Sequence, residues 1–122
     1  MGNASSDLSN LPPEWALNEA AGLDLKDVRC WVEGSRFNNW KNPPIFILTG
    51  HDLWFLKKGL RRDPPRTVSL SQVDEVHYSP GKIRGELVVI MAGADVPPMR
   101  AKIGRGGRIQ ATVLVALLHN PN

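Results

Sequence analysis

The densest group of basic side chains lies in one short stretch, and it is the first feature of the sequence able to bind a charged ligand. Lys57, Lys58, Arg61, Arg62 and Arg66 fall within ten residues that contain a single acid. Near an anionic membrane each such cation contributes on the order of 1 kcal/mol to binding, and less at high salt. This basic run therefore predicts contact with anionic lipid. The alternative is a solvated loop between strands, whose exposed charges contribute little.

The N-terminal sequence MGNASS matches the N-myristoylation pattern, in which the amine of Gly2 is acylated and a hydroxyl residue stands at position 6. One myristoyl chain holds a protein at a membrane only weakly, with an association constant of about 10⁴ M⁻¹, so a second signal is needed. The basic run would supply it, since no cysteine lies near Gly2 for palmitoylation. The alternative is an unmodified polar tail.

A second basic series, Arg100, Lys102, Arg105 and Arg108, surrounds the glycine-rich stretch 104–107. Glycines at the start of a helix expose backbone N–H groups that can bind phosphate. The lysine followed by serine or threonine that marks a phosphate-binding loop is absent, however. We therefore expect a plain turn before a helix.

Residue types used in catalysis are present but not grouped. His51, His77 and His119 are far apart in the sequence, and Cys30 stands at an apolar position of a strand. No HExxH, GxSxG or paired-cysteine spacing occurs. We predict that the protein is not an enzyme and holds no metal or cofactor. Nucleic acid is also disfavoured as a partner, because tryptophans on strands pack into cores more often than they stack on bases.

The composition is that of one small globular domain. Hydrophobic residues make up 42% and charged residues 22% of 122 residues, and the net charge is +3. The longest apolar runs, 87–92 and 112–118, are much shorter than the roughly 20 residues that cross a bilayer. With no secretory signal and no partner cysteine for Cys30, the sequence predicts a cytoplasmic protein, or one peripheral on the cytoplasmic face of a membrane.

Apolar periodicity predicts the elements that would position these residues. Residues 1–9 are interpreted as a flexible tail, 10–22 as a short helix and 26–120 as the folded domain. Period-two patterns predict strands at 28–33, 45–49, 52–57, around 68–70 and 73–78, and at 84–91 and 99–103. Recurrence at three and four residues predicts a closing helix whose apolar stripe contains Ile109, Thr112, Val113, Ala116 and Leu117.

The alternation of residue types along two of these strands predicts which side chains share a face of the sheet. In the first strand, Val28, Cys30 and Val32 are predicted to share one face. In the last strand, Arg100 and Lys102 alternate with apolar residues, so its outer face is predicted to be basic.

Six or seven short antiparallel strands followed by one helix is the element order of pleckstrin-homology-like domains. The stretch WKNPPIFILTGHDLWFLK, residues 40–57, resembles the second and third strands of that superfamily, and PRTVSLSQV, residues 65–73, resembles the strand and turn that follow. The resemblance implies a mainly β fold, a bent antiparallel β-sandwich or partly open barrel capped by the C-terminal helix. It also implies that the partner is an anionic membrane lipid or a phosphoinositide.

The chain departs from the superfamily where many members bind a lipid headgroup. Those members clamp the headgroup between a lysine ending the first strand and a basic pair opening the second. Here the first strand ends in Glu33 and the second opens with Ile45, so only Arg36 and Lys41 in the intervening loop would substitute. The closing helix also lacks the tryptophan common in the superfamily.

Two functional hypotheses follow from these observations. The first is a peripheral membrane adaptor, tethered through Gly2 and oriented on an anionic leaflet by its basic loops. The second is a protein-docking scaffold of the same fold, in which an exposed strand edge or the helix at Trp15 holds a protein partner. A small enzyme or a nucleic-acid binder is a weaker third hypothesis.

Overall fold

The computed structural model of the protein describes residues 11–35, 44–57, 66–93 and 95–119. Within these residues the fold is mainly β, with seven antiparallel strands and a C-terminal helix, as the sequence predicts. The helices are α1 (Glu14–Glu19) and α2 (Arg108–His119). The strands are β1 (Val28–Glu33), β2 (Ile45–Thr49), β3 (Asp52–Leu56), β4 (Arg66–Ser69), β5 (Val73–Ser79), β6 (Arg84–Met91) and β7 (Met99–Gly104). Short 3-10 turns occupy Leu25–Asp27, Leu70–Gln72 and Arg105–Gly107.

The strands form two sheets that follow the chain order. One sheet has four strands in the order β1-β2-β3-β4, and the other has three in the order β5-β6-β7. The predicted hairpin of β2 and β3 is confirmed, and its turn is fixed by Thr49. The Thr49 hydroxyl donates to Asp52 Oδ1 at 2.6 Å and accepts from the backbone N–H groups of His51 and Asp52. Asp52 Oδ1 also accepts from Trp54 Nε1 at 3.1 Å.

Strand β7 runs across one end of the four-stranded sheet. The Arg66 guanidinium, at the start of β4, donates to the carbonyl of Pro97, and the N–H of Ser35, just after β1, donates to the carbonyl of Lys102. The outer strands β1 and β4 are three spacings apart, about 14 Å, and the stretch from Pro97 to Lys102 spans about 17 Å. These two contacts place the stretch from Pro97 to Lys102 beside both outer strands of the four-stranded sheet.

The main core lies between the inner faces of the two sheets and under α2. Phe46 and Phe55 stand on neighbouring strands with ring centroids 4.7 Å apart. Helix α2 closes the core with Ala111 and Leu114, both fully buried. The core also contains the inward residues of the three-stranded sheet: Val76, Leu87, Val89, Met91, Met99, Ala101 and Ile103.

A second apolar cluster covers the outer face of the four-stranded sheet. Ala16 of helix α1 and Ala20, directly after the helix, pack against Ile45, Ile47 and Leu56. Three tryptophans surround this contact: Trp15, Trp31 and Trp54. Because β2 is covered on both faces, all five of its residues are buried, which accounts for its unbroken apolar sequence.

The predicted faces of two elements need correction. A bulge between Val28 and Cys30 shifts the alternation of β1, so Val28 joins the second cluster while Cys30 packs on the main core. In α2, the predicted stripe is wrong at four of its five positions. Ile109, Thr112, Val113 and Ala116 are exposed and Leu117 is half-buried, whereas the residues that the helix buries are Ala111 and Leu114. Periodicity did not predict which side of α2 is buried, because the helix has apolar residues on both sides.

Candidate functional site

The predicted basic site is described by the structure at two positions. Lys57 is exposed directly after β3, and Arg66 is half-buried at the first position of β4. The Arg66 guanidinium donates to the Pro97 carbonyl at 3.2 Å, so part of its donor capacity holds the β6–β7 connection. The other predicted residues lie outside the described residues: Gly2, Arg36, Lys41, Lys58, Arg61 and Arg62.

The segments that carry these other cations join the sheet at one shared end. Glu33 pairs with Ile45 across β1 and β2, and Phe55 pairs with Arg66 across β3 and β4. Residues 36–43 therefore connect β1 to β2, and residues 58–65 connect β3 to β4, from the same end of the four-stranded sheet. By sequence the first segment has two basic and no acidic residues, and the second has three basic residues and one acidic residue.

Strand β7 lies along this end and adds two cations. Arg100 and Lys102 are exposed on the outer face of the three-stranded sheet, as the alternation predicts. The carboxylate of Glu86 on β6 lies 3.8 Å from Arg100 and 3.6 Å from Lys102. One carboxylate faces two cations, so this group of three side chains carries a net charge of +1.

The end of β7 leads into a further group of basic residues that surround exposed isoleucines. Arg105 Nε donates to the carbonyl of Lys82 at 3.4 Å, which holds the β5–β6 connection against the 3-10 turn before α2. The side chains of Lys82, Arg84, Arg105 and Arg108 are all exposed there. Ile83 and Ile109 are exposed to 74% and 78%. Ile83 was not among the predicted site residues, although its place between two cations in the sequence was a usable signal.

Charge is unevenly distributed along the chain. Residues 1–33 contain two basic and six acidic residues, whereas residues 96–122 contain four basic residues and no acidic residue. The positive charge of the C-terminal part therefore belongs to β7, the glycine-rich turn and the start of α2, the elements that adjoin the loop-bearing end of the four-stranded sheet.

Two open clefts flank α2. The first, of about 300 Å³, lies between β5 and the last turn of the helix and is lined by residues 73–77, Leu118 and His119. Here His119 Nε2 lies 3.3 Å from the Val76 carbonyl, and His77 Nε2 lies 3.0 Å from Glu75 Oε1. The second cleft, of about 270 Å³, lies between the end of β1 and the start of α2, with Trp31, Glu33 and Gln110 in its walls.

The described residues offer little for catalysis or metal binding. No group of three or more His, Cys, Asp or Glu side chains among them could hold a metal ion. Burial raises the pKa of the Cys30 thiol to about 11, so it stays protonated and is a poor nucleophile at neutral pH. In the same part of the chain, neither helix has the length and apolar character to cross a bilayer.

Comparisons of this chain with protein-family models, curated proteins and solved structures gave no match, so the pleckstrin-homology-like resemblance stays a prediction.

Proposed function

We propose that the protein is a non-catalytic peripheral membrane module of pleckstrin-homology-like type, which binds anionic lipid surfaces along β7 and the two connections beside it. The observation that carries this proposal is the position of β7. The hydrogen bonds from Ser35 to Lys102 and from Arg66 to Pro97 hold β7 and the residues just before it next to the end of β1 and the start of β4. This stretch therefore lies beside Ser35 and Arg66, the described residues next to the two basic segments.

The density of positive charge supports binding to a surface. The two connections contribute five basic residues and one acidic residue, and β7 adds Arg100 and Lys102. Strand β7 is only about 20 Å long, two to three Debye lengths at physiological salt. Each cation held near an anionic leaflet adds on the order of 1 kcal/mol at low salt. Binding is expected to weaken steeply as salt rises.

The end of β1 favours an extended lipid surface over a single clamped headgroup. Glu33 lies at the last position of β1, and the residue opposite it, Ile45, is fully buried. Neither side chain supplies a cation for a phosphate, and the Glu33 carboxylate would repel one. We therefore expect total anionic charge, and not the identity of one headgroup, to govern affinity.

Acylation of Gly2 would complement this electrostatic attachment. A myristoyl chain alone binds membranes only marginally, with an association constant of about 10⁴ M⁻¹. Combined on one molecule, the chain and the basic surface bind with the sum of their free energies, less the cost of linking them. The proposed module thus binds weakly without the acyl group and stably with it.

Vesicle sedimentation tests the proposal. The full chain, with and without myristoylation of Gly2, is mixed with phosphatidylcholine vesicles containing graded amounts of phosphatidylserine, at low and high salt. The bound fraction should rise with phosphatidylserine and fall with salt, and a phosphoinositide at equal total charge should give a similar fraction. If neither the myristoylated nor the unmodified form binds vesicles at low salt, the proposal is wrong.

A pair of matched double variants locates the charge that matters. Arg61→Ala with Arg62→Ala removes two cations from the β3–β4 connection and should weaken binding by about tenfold or more at low salt. Lys26→Ala with Arg29→Ala removes two exposed cations near the start of β1, at the other end of that strand, and should leave binding nearly unchanged. Equal losses in both variants would mean that only net charge matters.

Protein docking is the second candidate function, and the cleft along β5 favours it. Among the described residues β5 pairs with β6 alone, so its other edge is available to an added strand. The cleft of about 300 Å³ between this edge and α2 would receive side chains of such a strand. The contact between His119 and the Val76 carbonyl would have to open first.

Photo-crosslinking separates the second candidate from the first. A photoreactive side chain is placed at Asp74 in the cleft and, as a control, at the exposed Thr112 on α2. A single protein captured from Asp74 but not from Thr112, by a chain that does not bind vesicles, would favour docking along β5. Capture of the same protein from both positions would argue against it.

A further inference from the structure

The outer face of α2 carries an apolar stripe that faces solvent, beside the exposed polar side chains of Gln110 and Thr112. Ile109 and Val113 are 78% and 41% exposed, and Ala116 is exposed in line with them, at spacings of four and three residues. No charged residue lies between Arg108 and the terminal His119 of the helix. A helix that only covers a core normally has a polar outer face. This face therefore calls for an explanation beyond folding.

A second exposed isoleucine lies beside the start of this helix. Ile83 is 74% exposed in the connection between β5 and β6. The hydrogen bond from Arg105 to the Lys82 carbonyl holds that connection against the turn that leads into α2. Ile83 and Ile109 are the most exposed large hydrophobic side chains of the described residues. Ile83 follows Lys82 and Ile109 comes four residues after Arg105, the two residues joined by this hydrogen bond, and the region around the bond is called the corner.

Cations surround both isoleucines. Lys82 and Arg84 flank Ile83, and Arg105 and Arg108 precede Ile109; all four are exposed. No acidic residue follows Asp95 in the sequence. The corner therefore combines protruding apolar side chains with a rim of positive charge, the combination found in segments that settle at a membrane interface.

We propose that this corner, formed by residues 82–84, residues 105–109 and the outer face of α2, enters the interface of an anionic bilayer. The inference rests on the proposed membrane function, and it identifies the side chains that move from water into the bilayer interface. Arg84 pairs with Gly104, and Gly104 lies next to Ser35, so the corner adjoins the β1–β2 end of the basic surface.

The shape of the corner favours a bilayer over an acidic peptide as the occupant. Ile83 projects from a connection between strands and Ile109 from the first turn of a helix, and neither lines one of the two clefts beside α2. A bilayer takes up protruding apolar side chains without a groove, while neighbouring lysine and arginine stems reach back to the headgroups. A peptide partner would need a concave surface to bury its own apolar residues.

Site-specific labelling tests the insertion directly. In a Cys30→Ala background, single cysteines are introduced as Ile83→Cys, Ile109→Cys and, as a control, Ser71→Cys in the exposed turn after β4. Each carries an environment-sensitive dye and is mixed with phosphatidylserine-containing vesicles, with or without bromine on the lipid chains. The dyes at positions 83 and 109 should shift to the blue and be quenched by bromine, whereas the dye at position 71 should do neither.

The outcomes separate this inference from the function on which it rests. If the labelled chains sediment with vesicles but the dyes at 83 and 109 stay in water, another face binds the membrane; the insertion is then wrong and the membrane function stands. If no chain sediments, both are wrong. If the chains do not bind vesicles and the emission of the same dyes shifts to the blue when polyglutamate is added, the corner binds acidic protein segments instead.

Matched serine variants measure the contribution of each isoleucine. Ile83→Ser and Ile109→Ser should each weaken binding to phosphatidylserine vesicles by about tenfold, the effect expected for one buried aliphatic side chain. Leu25→Ser is the control, because Leu25 is 46% exposed in the turn before β1, away from this corner. Circular dichroism checks that each variant is folded. Unchanged binding by both isoleucine variants would overturn the proposal.

Discussion

The two sheets are built from similar antiparallel strands but differ in what covers them. The four-stranded sheet is covered on both faces at β2, by the main core on one side and by α1 with its tryptophans on the other. The three-stranded sheet is covered on its inner face only, and β6 alternates between buried and half-exposed residues. The first sheet is therefore a structural layer, and the second presents an open face.

The difference in cover determines which surfaces remain open to a partner. The outer face of the four-stranded sheet is occupied by α1, so the helix at Trp15 already packs within the fold. The outer face of the three-stranded sheet instead carries Glu86, Arg100 and Lys102 in cross-strand contact. The surfaces left for a partner are thus the open face and edges of the smaller sheet, the outer side of α2 and the loop-bearing end of the larger sheet.

The largest expected effect concerns equivalent isoleucines on the two outer faces. Ile47→Ala removes a side chain that is fully buried under α1 and should lower the free energy of unfolding by about 2–4 kcal/mol. Ile90→Ala, at a half-exposed position of β6, should cost about 1 kcal/mol or less. Urea unfolding of both variants gives the difference. Equal losses would mean that the two outer faces are equally covered.

The reactivity of Cys30 tests how well the inner face of the larger sheet is shielded. Because burial raises the pKa of this thiol to about 11, its alkylation at pH 8 should be roughly a hundredfold slower than that of an ordinary exposed thiol. The control is Ser79→Cys in a Cys30→Ala background, at an exposed position of β5. Similar rates for the two thiols would show that the edge at β1 opens readily.

The same thiol makes stability depend on pH in the alkaline range. Its pKa is raised on folding from 9.0 to about 11, so the folded state holds the proton more tightly than the unfolded state. The resulting stabilisation is complete below pH 9 and is lost as the pH rises through about 11. Unfolding curves over this range should show the loss in the natural chain and a smaller one in Cys30→Ala.

The smallest expected effect concerns the carboxylate on the open face. Glu86→Gln releases Arg100 and Lys102 from their shared partner and should strengthen binding to phosphatidylserine vesicles by about fivefold at low salt. Stability should change by no more than about 1 kcal/mol, because the pairs are partly exposed. Glu75→Gln on β5 is the control, since its partner is His77. Weaker binding of the Glu86 variant would contradict the proposed role of β7.

The sequence predicts the strands well because alternation is a local signal. The faces of β6 and β7, including the outward Arg100 and Lys102, follow from period two alone. The face of Val28 could not be predicted in this way, because one extra residue in a bulge reverses the alternation. Nothing in the local sequence marks the bulge. The place of α1 was also not predictable, since it depends on which sheet face is left uncovered by the rest of the chain.

The candidate surface was predictable in part. The charges of β7 could be placed on its outer face, but the position of this strand beside Ser35 and Arg66 depends on how the two sheets pack, which no local pattern encodes. Ile109 was assigned to the buried side of α2 because the helix is apolar on two sides, and only packing selects the stripe that contains Leu114. Long-range packing therefore determines which apolar side of the helix is buried, where sequence periodicity allows either side.

The cations of β7 have a consequence for association between copies of the chain. Among the described residues β7 pairs with β6 alone, and its other edge makes one backbone hydrogen bond, to Ser35. Free strand edges invite pairing with a second chain, which leads to aggregation. Two antiparallel copies of β7 would place Arg100 and Lys102 of one chain close to the same cations of the other. Charge repulsion thus disfavours pairing of two copies of the chain along this edge.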